Sequence, residues 1–168
     1  MPAARKVAYL RAPQNPAAAL FEARVRQAAD VLGIKLVSLP LKSEADLDRA
    51  FARADMVRVM AVLVQADTLT YRLSGSIVDR CLLRDLPAMH CWSIEVHNGA
   101  LMSYGPAAPE NNAGVAIYVD RILKGAKIVD LPFEEPTDIK LVINFRAARY
   151  MGITFPPGFL ARADEVIE

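Results

Sequence analysis

The chain has few cysteines, no long apolar run and no block of like charge, and each shortage closes off a class of protein. Its two cysteines, Cys81 and Cys91, form no CxxC pair. Two thiols are too few for a disulfide framework. Both lie in apolar surroundings, so they read as small buried hydrophobes; a Cys81–Cys91 bridge would need an oxidising compartment. The longest apolar stretch, Met56 to Ala66, contains Arg58 and falls well short of the ~20 residues that cross a bilayer. Lys and Arg total 20 against 19 acidic residues, and they are scattered. A nucleic-acid surface would need a basic face with interleaved aromatics. None is present, and no basic amphipathic helix suggests membrane binding.

Catalytic motifs are missing as well. No GxGxxG follows the first apolar stretch, where a dinucleotide fold carries it. There is no GxxxxGK[ST] phosphate loop and no GxSxG nucleophile elbow. A phosphoryl-accepting receiver would place acidic residues after its first strand, but here the chain reads Leu10-Arg11-Ala12-Pro13. Ser93, Glu95 and His97 crowd one short segment, which makes their side chains point in different directions rather than form a relay. His90, Cys91 and His97 match no closed zinc pattern. No catalytic residue, metal ligand or cofactor is therefore expected.

What is present is strand and helix in alternation. Apolar residues make up 54% of the 168, above the globular average of about 45–50%, which points to a well-buried sheet or to surface meant for a partner. Lys6–Leu10 reads as a buried strand. Asn15 is placed to cap a following helix with Phe21, Val25, Ala28 and Leu32 on one face, ended by Gly33. Lys35–Leu39 is the second strand. Ser43 and Asp46 resemble a capping box opening a helix with Leu47, Ala50, Phe51 and Ala54 inward. Val57–Val64, apolar on both faces, reads as a central parallel strand. A helix over Thr70–Arg84 turns Leu73, Ile77, Cys81 and Leu82 inward, and Ala88–Cys91 is a fourth strand. Leu101–Tyr104, a helix over Asn111–Lys124, a strand over Thr137–Ile143 and a short helix capped by Asn144 complete the pattern before the tail Gly158–Glu168. Repeated βαβ units imply an α/β, doubly wound parallel sheet of the Rossmann or flavodoxin type. A boundary falls near His97–Gly99, after which prolines multiply.

The second half carries a set of phrases in order: Gly99–Gly105 (GALMSYG), Tyr118–Lys127 (YVDRILKGAK), Asp130–Pro136 (DLPFEEP), Leu141–Asn144 (LVIN), and Leu160–Glu168 (LARADEVIE) after Pro157. Lys6–Pro16, Ala28–Leu36 and Val62–Asp67 add a looser upstream match. Together they resemble ABC-type solute-binding proteins related to the tryptophan/tyrosine-binding TrpX group. The resemblance implies a lobe of the periplasmic-binding-protein type, the second of two, closing on a small polar or aromatic solute by a hinge. It implies a membrane permease as partner and a periplasmic location. Met1–Arg5 leads straight into a strand without a signal-peptide pattern, so the sequence as it stands is expected to remain cytoplasmic. The alternative function is a free-standing cytoplasmic sensory or interaction domain derived from such a lobe. Residues 1–98 are expected to form the ligand-binding lobe. Residues 99–168 are expected to cross over and pack on the other lobe, or to exchange with a second copy in a homodimer.

In an open α/β sheet, ligands bind beyond the carboxyl ends of the strands. That rule selects Gln14 and Asn15 after the first strand, Gln65, Asp67 and Thr68 after the third, Trp92, Ser93 and Glu95 after the fourth, and Tyr104 at the end of the fifth. The resemblance adds that an acidic residue near Asp67 is suited to an ammonium or amide donor. It also marks Cys91-Trp92-Ser93 as a departure, consistent with a flatter, more aromatic ligand. For Asn15 and Asp67 the competing role is capping, and for Trp92 it is core packing or an interface.

Overall fold

The computed structural model describes residues 6–106, 108–132 and 138–168, and the side chains of 108–114 lie outside that description. The expected strand start at Thr137, the stretch Met1–Arg5 and residues 133–136 of the DLPFEEP phrase therefore also lie outside it. A seven-stranded sheet runs in the order β2-β1-β3-β4-β5-β6-β7. Its strands are β1 (Lys6–Arg11), β2 (Lys35–Pro40), β3 (Ala61–Val64), β4 (Ala88–His90), β5 (Met102–Pro106), β6 (Ile139–Asn144) and β7 (Glu165–Ile167). The helices are α1 (Ala18–Val31), α2 (Leu47–Val57), α3 (Thr68–Arg72), α4 (Ser74–Leu82), α5 (Ser93–His97), α6 (Ala108–Leu123), α7 (Phe145–Tyr150) and α8 (Pro157–Leu160).

From β2 to β5 the pairing is parallel, with Leu10 opposite both Leu39 and Val64. The order, with β1 between β2 and β3, is that of a doubly wound α/β sheet. The sheet is mostly parallel, as expected, and reverses once. β6 runs antiparallel to β5, Ser103 facing Val142, and β7 then pairs in parallel with β6. No local pattern in Ile139–Asn144 encodes that reversal.

One face of the sheet carries the main core. Ala8 and Leu10 of β1 and Val62 and Val64 of β3 meet Leu47, Ala50, Phe51 and Ala54 of α2, with Ile77 and Cys81 of α4 alongside. The α2 stripe is the expected one. The strand expected over Val57–Val64 is shorter. α2 continues through Val57, and Arg58 ends it in the left-handed region at φ 54°. Only Val62 and Val64 are deeply buried, while Ala61 and Leu63 face the other side half-exposed. Two smaller clusters extend the core: Val78, Val96, Ala100 and Val142, then Leu101, Ala147, Ala148 and Met151.

The α1 stripe is displaced by one position. Ala18 and Ala29 are buried, with Glu22 and Val25 turned the same way, whereas Phe21 and Leu32 stay exposed, Leu32 at 70%. Glu22 carries the difference, because its carboxylate binds Arg11 and Arg26, each at 2.9 Å. Beside α1, a groove of about 340 Å³ crosses the sheet surface over Tyr9, Leu63, Met89 and Tyr104. α6 stands apart from all of this. None of its described side chains is buried, and Val115, Ile117, Val119, Ile122 and Leu123 are exposed.

Candidate functional site

At the carboxyl ends of β1, β3 and β4 the chain leaves a cleft of about 500 Å³, lined by Asn15, Ala66, Asp67, Thr68, Tyr71, Trp92, Ser93 and Ile94. That volume lies within the usual range for small-molecule sites, about 300–1,000 Å³. Three connections supply the walls, and each is tied down by its own local chemistry.

Asp67 is the N-cap of α3. Its Oδ1 accepts the Leu69 N–H at 2.8 Å, and its Oδ2 accepts from Asn15 Nδ2 at 2.7 Å. Asn15 is not the cap of α1 as expected. Its Oδ1 accepts the Ala17 N–H at 2.8 Å, closing the turn before the helix, whose N-cap position is Ala17 without a side-chain bond. The residues Pro16 and Ala17 belong to that turn, which delays the helix to Ala18. The Asn15–Asp67 bond thus joins the first and third connections across 52 positions of sequence. Each carboxylate oxygen has further lone-pair capacity, so capping does not exhaust Asp67 as an acceptor. It is the one charged residue among those lining the cleft. Tyr71, Trp92 and Ile94 supply apolar and aromatic wall.

Five of the nine residues selected from the sequence meet here: Asn15, Asp67, Thr68, Trp92 and Ser93. Four do not, among them Glu95, which is buried. Gln14 is exposed, and its Nε2 donates to the Lys42 carbonyl at 3.3 Å. Gln65 is buried at the groove beside α1, where its Oε1 accepts the Ala12 N–H at 3.2 Å and its carbonyl accepts the Thr70 hydroxyl at 2.6 Å. Its Nε2 meets no hydrogen-bond partner among the described residues. Tyr104 lies on the α1-side groove instead. Ala66, Tyr71 and Ile94 were missed. Tyr71 could have been found from its place one turn into the helix that Asp67 caps.

The Ser93–Glu95–His97 grouping dissolves. Ser93 lines the cleft, and Glu95 turns into the interior, its Oε1 3.1 Å from His90 Nδ1. His97 lies outside, 2.9 Å from both the Ser93 carbonyl and Glu165 Oε1. Among the described residues no three His, Cys, Asp or Glu side chains are grouped to hold a metal ion. Both cysteines are free. Burial pushes the Cys91 thiol upward in pKa, helped by the charge of Glu95. Burial raises Cys81 further, to about 12. No helix among the described residues is long and apolar enough to cross a membrane. Gly105 of β5 presses against the end of β4, where a Cβ would collide with the Cys91 carbonyl oxygen.

A doubly wound lobe with a cleft at its strand ends defines a ligand-binding α/β domain. The family described as ABC transporter substrate binding protein matches residues 1–167, and the chain belongs to it. The fold is shared with a conserved domain protein from Vibrio cholerae, at 24% identity and a TM-score of 0.89, over 99% of this chain and 56% of that one. It is shared with an ABC domain in complex with L-Trp from Streptococcus pneumoniae, at 21% identity and TM-score 0.87, over 99% and 58%. A ligand-free, open substrate binding protein with adhesive properties from Clostridium difficile follows, at 16% and 0.72, over 99% and 55%. The chain spans a little over half the length of these solved proteins. Comparison with functionally curated proteins gave no match.

Proposed function

We propose that the chain is one lobe of a two-lobed solute receptor serving an ABC importer, and that it binds its solute without chemical turnover. The observation that carries this reading is the cleft. Its one carboxylate, Asp67, stands among Tyr71, Trp92 and Ile94 at the strand ends, and it opens on one side to solvent. Such a surface suits a solute that offers an ammonium or amide donor together with a flat apolar body. The L-Trp complex of the pneumococcal neighbour is compatible with that chemistry. A receptor of this kind closes two lobes about a hinge, so this lobe supplies about half the contacts. The proposed setting is the outer side of the cytoplasmic membrane, with the importer's permease as partner.

Within the segment 99–168, the proposed crossing element is α6, since β5, β6 and β7 belong to this lobe's sheet. Its exposed stripe Val115, Val119 and Ile122 has the i, i+4, i+7 spacing of a packing face. The uncovered part of the structural neighbours, more than two-fifths of their length, supports a second lobe as its partner. Between two copies of this chain, the same stripe would support a homodimer by exchange.

Amide chemical shifts recorded while L-tryptophan or tryptamine is titrated to millimolar concentration test the reading. Shifts confined to Asn15, Asp67–Tyr71 and Trp92–Ile94, with weak affinity, are expected. Perturbations elsewhere, or none, count against the cleft. Micromolar affinity in the isolated monomer would refute the half-site.

A further inference from the structure

We infer that His90 and Glu95 are positioning residues, a buried strut beneath the cleft that sets where Trp92 and Ser93 stand. The inference rests on the cleft being the solute site.

His90 is the last residue of β4 and is 1% exposed; Glu95 lies in α5 and is 2% exposed. One carboxylate serves both sides of the turn between them. Oε1 approaches His90 Nδ1 at 3.1 Å, and Oε2 accepts the Trp92 backbone N–H at 3.1 Å. The approach to His90 is off the line of a directed hydrogen bond, and His90 Nε2 faces no protein partner among the described residues. Only Cys91 and Trp92 separate the strand from the helix. Their path is pressed from the other side by Gly105 against the Cys91 carbonyl.

Taking an imidazole and a carboxyl group out of water is costly, and apolar residues of similar volume often stabilise more. A pair kept here is therefore poorly explained by stability. It is well explained by geometry, because the group it holds, Trp92, is cleft wall. Buried polar side chains also tie the two neighbouring connections. The Gln65 side chain accepts the Ala12 N–H of the first, and the buried Thr70 hydroxyl of α3 donates to the Gln65 backbone carbonyl in the third.

Trp92 is the only tryptophan, so its fluorescence reports the strut without any ligand. Glu95→Ala is expected to shift Trp92 emission to longer wavelength and raise its quenching by acrylamide, far below the unfolding temperature and with the far-UV dichroism of the wild type. Leu47→Ala, a core loss in α2, is expected to lower stability while leaving both readings unchanged. Glu95→Gln, which keeps an acceptor for the Trp92 N–H, is expected to restore them in large part. Unchanged quenching in Glu95→Ala, or equal quenching in Leu47→Ala, overturns the proposal. Should Glu95→Ala fail to fold, the wild-type Trp92 amide decides. Slow hydrogen exchange, although Trp92 lies outside any strand or helix, supports the strut, and exchange at the exposed-loop rate overturns it. Calorimetric titration of the wild type with L-tryptophan reads the parent hypothesis separately: absent binding removes the solute site and leaves the Trp92 readings standing.

Discussion

At the scale of single residues, the cleft is a set of groups doing local work that happens to face one space. Asp67 caps α3 and Asn15 closes a turn, and the pair meets at 2.7 Å. Capping and ligand contact are therefore not rival roles here, since a carboxylate has lone pairs for both. The thiols illustrate burial acting alone. Cys81 in α4 is held neutral by desolvation, its pKa pushed up to about 12, while Cys91 is half-buried at the groove beside α1 and raised less far. An acid whose folded pKa is raised binds its proton more tightly when folded. Its contribution to stability is thus complete below the ordinary thiol pKa of 9.0 and is lost as pH climbs toward about 12. At pH 8, Cys91 is expected to react with a disulfide reagent well before Cys81. Cys81→Ser is expected to flatten part of the decline in urea stability above pH 9. Equal labelling rates would show that burial does not separate the two thiols.

At the scale of elements, α1 and α2 show where periodicity is reliable. In α2 every position of the expected stripe is buried, because the sheet takes that face and leaves Met56 outside it. In α1 apolar residues occur on several faces, and the sheet selected Ala18, Val25 and Ala29, with Glu22 satisfied by two arginines. Small side chains allow close helix-to-sheet approach, so Phe21 and Leu32 were left outside. Truncating Ile77, fully buried in α4, to alanine is expected to cost about 2–5 kcal/mol. Leu32→Ala should stay within about 0.5 kcal/mol. Urea denaturation of the two variants checks both, and a large loss at Leu32 would restore the stripe read from the sequence. Strand ends behaved similarly. Val57 reads as strand by composition but extends α2, since Arg58 could adopt the left-handed conformation that ends a helix one residue later.

At the scale of the whole molecule, apolar surface is distributed unequally. One side of the sheet is closed by α2 and α4, while α6 and the groove beside α1 leave large hydrophobics in contact with water. Patches of this kind mark surfaces for a partner. The chain at high concentration is expected to self-associate through α6, and Val119→Asp or Ile122→Asp to abolish that association without lowering the urea midpoint. Light scattering reads the mass, and a clean monomer for the wild type counts against the exchange. Legibility followed contact range. The α/β alternation, the α2 stripe, the Asn144 cap of α7 and the family phrases were visible because each is written within a dozen residues. The missed elements depend on distant partners: Gln65 reaches Ala12 rather than solvent, and Asn15 meets Asp67 rather than capping α1.

The sequence by itself determined that this is an α/β chain of the solute-binding family, with polar residues gathered after the first, third and fourth strands. Hydrophobic period, caps and turn residues act over one or two helical turns, and that is enough to set element type and order. Only the tertiary structure decided that β6 runs against β5, that α1 buries alanines, and that Asn15 meets Asp67. The physical reason is the same in each case. These outcomes are set by which surfaces compete for burial and which polar groups must be satisfied together, and the competitors lie tens of residues apart.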